Sequence, residues 1–138
     1  MIRRNYPCFY LVVGIGFKKD LRLLMTGEYT MSSFDINEML TMQRALQEKY
    51  KNIWKPVGPE RGQDQLLWMI GEMGEVIDIV KKNGGEKACT DPELREHLIE
   101  EMADVLMYYN DILLCYGITE DELKDAYTAK FEKNMKRW

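Results

Sequence analysis

Two pairs of carboxylates carry the chemistry this sequence offers. Glu72 and Glu75 stand in the stretch "LLWMIGEMGEVIDIVKKNGG", and Glu101 and Asp104 stand in "HLIEEMADVLMYY". In each case three positions, close to one helical turn, separate the two acids, so both emerge on one side of a helix. The first pair stands among Met, Ile and Val, and the second is embedded in an apolar stripe of Leu98, Met102, Val105, Leu106 and Tyr109. Like charges so placed repel. Either water screens them or a cation belongs between them. Two carboxylates ~5 Å apart repel by about 3 kcal/mol at an effective dielectric of about 20. Four converging anions would cost several times that, which compares with the whole stability of a small domain, ~5–15 kcal/mol. Oxygen-only ligands, with no neighbouring cysteine set or second histidine, select hard cations, Mg²⁺ first and Mn²⁺ as its substitute.

The elements that must position these acids read as helices. Apolar residues Ile36, Met39, Leu40, Leu46 and Tyr50 recur at helical spacing from residue 35 to about 51, with Gln43 interrupting the stripe. The prolines and glycines of "NIWKPVGPERG" predict a loop. A second helix is expected over about 63–82, stopped by "NGG". The loop "GGEKACTD" leads to Asp91 and Pro92, a cap and a first-turn proline. A third helix runs from there to about 116 and ends at Gly117. Thr119 and Glu122 form a capping box that opens a fourth helix towards Lys136. Period-two alternation is not sustained in residues 31–138, and no repeat appears. The expectation is an all-α, antiparallel helical bundle of about four main helices. A short connection then makes the two acid-bearing helices antiparallel neighbours.

Composition narrows the function classes. The chain has 138 residues, 46% hydrophobic and 30% charged, with a net charge of −4. That charge argues against a nucleic-acid partner, which needs a basic face. It is compatible with a small phosphorylated ligand that arrives with a metal. Cys8, Cys89 and Cys115 are an odd set without CxxC spacing, and read as reduced thiols of a cytoplasmic protein. His97 is the sole histidine. It excludes multi-histidine metal sites and reads as a structural or surface residue.

The first thirty residues differ from the rest. "MIRRNYPCFYLVVGIGFKKD" has two arginines and a short apolar run, too short for the ~20 residues that span a bilayer. No small-residue cleavage site follows it. "TGEYT" before Met31 is compatible with an in-frame ribosome-binding site, and Asp35 with Glu38 resembles a capping box just after a natural start. Residues 1–30 are therefore expected to be an extension, and 31–138 the domain.

"GEMGEVID" followed by "EEMADVLMYYNDILLCYGI" resembles the MazG-like family of all-α nucleoside triphosphate pyrophosphohydrolases. The family signature is Glu-Glu-x-x-Glu and, after a gap, Glu-x-x-Asp. The resemblance covers roughly residues 36–138 and implies that Glu72, Glu75, Glu101 and Asp104 ligate magnesium. Gly71 departs from the pattern, standing where the first Glu belongs. The implied reaction cleaves a triphosphate between its α and β phosphates, giving a monophosphate and pyrophosphate, in a nucleotide-pool housecleaning role. One carboxylate, Glu72 or Glu75, would take the proton of the attacking water. Near the chain end, Lys130 and Asn134 match a Lys-x-x-x-Asn element that meets the substrate, with Arg137 beside them; a solvated basic helix end is the competing reading. Tyr108 falls where related dCTP-cleaving enzymes carry a tyrosine that meets sugar or base. Trp54, in the loop, is a second aromatic for a nucleobase, whereas Trp68 opens an apolar helix and reads more readily as core. Four helices in so small a chain leave apolar surface on more than one side, so a homodimer or homotetramer is expected. Two rivals stand beside this reading: a non-catalytic helical interaction module, and a phosphoribosyl-ATP pyrophosphohydrolase.

Overall fold

In the computed structural model, residues 34–137 are described, and helix accounts for every regular element among them. The expectation about residues 1–30 lies outside that range. The chain divides into two units, Met1–Lys51 and Asn52–Trp138.

The first unit contributes α1, Ile36–Lys49. Asp35 caps it, its Oδ1 accepting from the Glu38 amide at 3.0 Å. Leu40 is buried, and so are Glu38 and Gln43, the polar residue that interrupts the apolar stripe. Most of the helix surface is at least half-covered.

The second unit is built on two long helices, α2 (Pro59–Asn83) and α4 (Pro92–Cys115), joined through a short α3 (Gly85–Thr90). A final helix, α5 (Glu120–Met135), completes it. The α2 helix starts four residues earlier than the apolar pattern alone indicates, because Pro59 supplies a preset first turn. Gly62 lets this turn lie close against Tyr116 at the end of α4; a Cβ there would come within 2.8 Å of the ring. Gly84, at φ 83°, ends α2 as expected. The stretch after it is not the loop that the sequence predicted. Glu86, Lys87 and Ala88 are good helix formers, and burial of Ala88 anchors them as a single short helix.

Asp91 Oδ1 accepts from the amides of Glu93 and Leu94, and Pro92 fills the first position of α4. At the other end Gly117, at φ 65°, lets the amides of Gly117 and Ile118 return to the carbonyls of Leu114 and Leu113. The α5 helix opens on the reciprocal Thr119–Glu122 capping box. The outcome is all-α, and α2 and α4 pack against each other along their length. Among the described residues no helix is long and apolar enough to cross a membrane.

Candidate metal centre

The facing seam of α2 and α4 has one spacing on both helices. Arg61, Gln65, Trp68, Glu72, Glu75 and Ile79 follow one another at alternating steps of four and three, as do His97, Glu101, Asp104, Tyr108, Asp111 and Cys115. Such steps keep one side of a helix turned to its neighbour, and normally carry Leu and Ile. Here most positions are polar. Contacts run in opposite senses along the two helices: Arg61 meets Asp111, Trp68 meets Tyr108, and Glu72 meets Asp104 and Glu101.

At the middle of this seam, carboxylate oxygens of Glu72, Glu101 and Asp104 lie within 4.8 Å of one another, and all three side chains are half-buried. Glu75, the fourth predicted ligand, is exposed and outside that group, though its charge still presses on Glu72. The electrostatics record the crowding. Burial raises the Glu72 carboxyl above its ordinary range, and the charges of Asp104, Glu101 and Glu75 raise it further. Asp104 is raised too, by burial first and then by Glu101 and Glu100. The Tyr108 phenol is pushed up by burial and by Glu72, Asp104 and Asp111, which places it beside the acids. Hard oxygen donors, partly withdrawn from water and mutually repelling, fit a divalent cation of the Mg²⁺ type.

A titration with a definite sign follows. A carboxyl raised in the fold holds its proton longer there than in the unfolded chain. Its contribution to stability is therefore present at acid pH and lost as pH rises from the ordinary carboxylate range, about 4, through the raised folded values. The stabilisation that Mg²⁺ or Mn²⁺ adds should accordingly grow with pH over that window, reaching ~2.7 kcal/mol once the ion is at about 100 times its Kd. Thermal melts with and without the ion check this; an ion-independent midpoint throughout would count against a cation site.

A model of the MazG nucleotide pyrophosphohydrolase domain matches residues 61–137, more than half of the chain. The chain belongs to the MazG family. No curated protein and no solved structure matches it. The match begins at Arg61, the first seam residue of α2, and so takes in the whole seam of this MazG domain. Within it lies Gly71, at the position where the sequence resemblance expects a Glu. It is exposed, and a Cβ there would meet nothing within 4 Å, so space does not exclude a side chain.

The other predicted residues fare differently. Lys130 and Asn134 are exposed on α5, which buries no residue, and Arg137 is exposed just beyond it. Trp54 lies over the Arg61 guanidinium, 5.4 Å from ring centroid to carbon. Trp68 is not core: it is 59% exposed and stacks on Tyr108 at 14°, centroids 6.4 Å apart. Of the two tryptophans it is therefore the one joined to the acids through Tyr108. Two features escaped the sequence reading. His97 Nε2 lies 2.9 Å from Glu101 Oε1, a contact that their spacing of four permits. Arg61 and Asp111 form a buried ion pair across a separation of 50 positions, which no local signal announces.

Proposed function

We propose that this chain is a Mg²⁺-dependent nucleotide pyrophosphohydrolase, cleaving a nucleoside triphosphate between its α and β phosphates and releasing a monophosphate and pyrophosphate. The half-buried triad of Glu72, Glu101 and Asp104 oxygens carries the reading. Membership of the MazG family supports pyrophosphohydrolase activity in general, and enzymes of that family are generally dependent on divalent metal. Glu72, Glu101 and Asp104 would hold the ion, with Glu75 joining them by a change of rotamer. When bound, Mg²⁺ supplies charge neutralisation and polarises the phosphoryl oxygens.

The protein's own groups do the rest. A triphosphate brings about four negative charges, which this acidic seam would repel unless its own charge is first offset. One oxygen of water replaces the bridging oxygen at phosphorus as the anhydride bond breaks, and Glu72 or Glu75 takes the proton that the water loses. The raised position of Glu72 favours its acceptance of that proton once substrate is in place. Tyr108 and the exposed face of Trp68 offer a platform one turn from the acids, suited to sugar and base.

Lys130, Asn134 and Arg137 are proposed to meet the phosphates, and the apolar surface indicates how. Leu66, Ile70, Met73 and Ile77 form an exposed stripe on the side of α2 away from the seam, Ile99, Met102 and Leu106 another on α4, and Tyr127, Phe131 and Met135 a third on α5. A second copy of the chain is the occupant these stripes suit, as a homodimer or a tetramer of the same contacts. Cytoplasmic placement and a housecleaning role belong to the same proposal.

The test is a panel of canonical and altered NTPs and dNTPs, with phosphoribosyl-ATP, assayed for pyrophosphate with and without Mg²⁺. Metal-dependent release from a nucleoside triphosphate is expected. Release from phosphoribosyl-ATP alone would favour that other enzyme class, and no release from any substrate would leave a helical interaction module. With the preferred substrate, Trp68→Ala is expected to raise KM about tenfold, since base–aromatic stacking contributes ~1–3 kcal/mol.

A further inference from the structure

His97 stands one turn before Glu101 on α4, and its Nε2 reaches Glu101 Oε1 at 2.9 Å. The imidazole is 53% exposed and the carboxylate 14% exposed, so the histidine reaches in from the surface to an acid that water barely touches. Glu101 is a flexible side chain pressed against Glu72 and Asp104. Without restraint, repulsion would favour a rotamer that swings it out to solvent. The imidazole nitrogen in contact with one oxygen opposes that swing and restrains the rotation of the carboxylate.

We infer that His97 is a positioning residue for the cation site, holding Glu101 in the acidic cluster and thereby setting how tightly the cluster takes a divalent ion. The inference rests on the reading of that cluster as a cation site. At that separation Nε2 can donate from the neutral Nε2–H tautomer and from the imidazolium alike, so the role requires no change of charge. Partners that hydrogen-bond a ligating group typically account for 10–100-fold in metal affinity.

Mn²⁺ binding to the full chain, read from the electron paramagnetic resonance of free Mn²⁺ without any nucleotide, tests the role apart from catalysis. His97→Ala is expected to weaken binding about tenfold, and His97→Gln, whose amide can still donate, to restore most of it. At saturating metal His97→Ala should keep kcat near that of the unchanged protein. Equal affinity in His97→Ala and the unchanged protein would overturn the role, as would equal weakening in both variants. An unchanged protein that takes up no Mn²⁺ would instead overturn the cation site itself, and the role with it.

Discussion

Glu72→Gln is expected to lower pyrophosphate release by at least about a thousandfold while leaving the metal-free fold as stable as before, or more so. The two halves of that result have one cause. Glu72 is the acid on which the charges of Asp104, Glu101 and Glu75 all bear, and burial disfavours its ionised form as well. Neutralising it removes repulsion and desolvation from the empty site. It also removes a proposed ligand and candidate base, and a loss of about 10³ corresponds to ~4 kcal/mol of transition-state stabilisation. Pyrophosphate assays and urea unfolding in chelator measure the two effects on the same preparation. The double variant Glu72→Gln, Glu75→Gln should be inactive with its helices intact. Undiminished turnover in it would refute the assignment of the site. A residue that only stabilised the fold would show the opposite pattern, with stability and activity falling together.

Asp111→Ala is expected to act entirely through the fold. Its carboxylate lies 3.3 Å from Arg61 Nη2, with the two side chains 5% and 8% exposed. Arg61 also donates from Nη1 to the Lys55 carbonyl at 2.8 Å and carries Trp54 over its guanidinium. The pair thus fastens the end of α4 to the start of α2 and to the loop before it. Removing the acid strands a buried cation, at a cost of ~3–5 kcal/mol. Against a total of ~5–15 kcal/mol, that could leave much of the protein unfolded at moderate urea. Asp111→Asn keeps an acceptor and should cost less. Urea midpoints followed by circular dichroism distinguish the two; equal midpoints for Asp111→Ala and the unchanged chain would mean that the pair contributes nothing.

These two residues also mark how far the sequence could be read. Glu72 stood out in the sequence by its apolar setting and by a second acid one turn away, yet that acid, Glu75, lies outside the cluster, and the acids Glu72 meets, Glu101 and Asp104, come from another helix. Caps were legible, as at Asp91–Pro92 and Thr119–Glu122, because every atom involved lies within three residues. Asp111 was opaque because its partner is 50 positions away and an acid in a helix carries no mark of burial. Trp68 was misjudged by its neighbours. An apolar context implied core, yet the alternating four-and-three spacing that puts it on the seam was present in the sequence throughout. The α3 helix is hidden in the sequence because Gly84 and Gly85 signal a break just where the helix begins.

The last helix has a consequence for how substrate and assembly depend on each other. A sixteen-residue helix that buries nothing of its own is marginal in water, whatever its capping box contributes. Tyr127, Phe131 and Met135 stand exposed on it, and a surface that covered them would stabilise it. If that surface is a second protomer, and if Lys130 and Asn134 meet phosphate as proposed, these side chains are held ready only while the protomers are joined. Phosphate binding to those side chains then favours association to the same degree that association favours phosphate binding. Such an enzyme would meter its own concentration, growing less responsive to nucleotide as it is diluted.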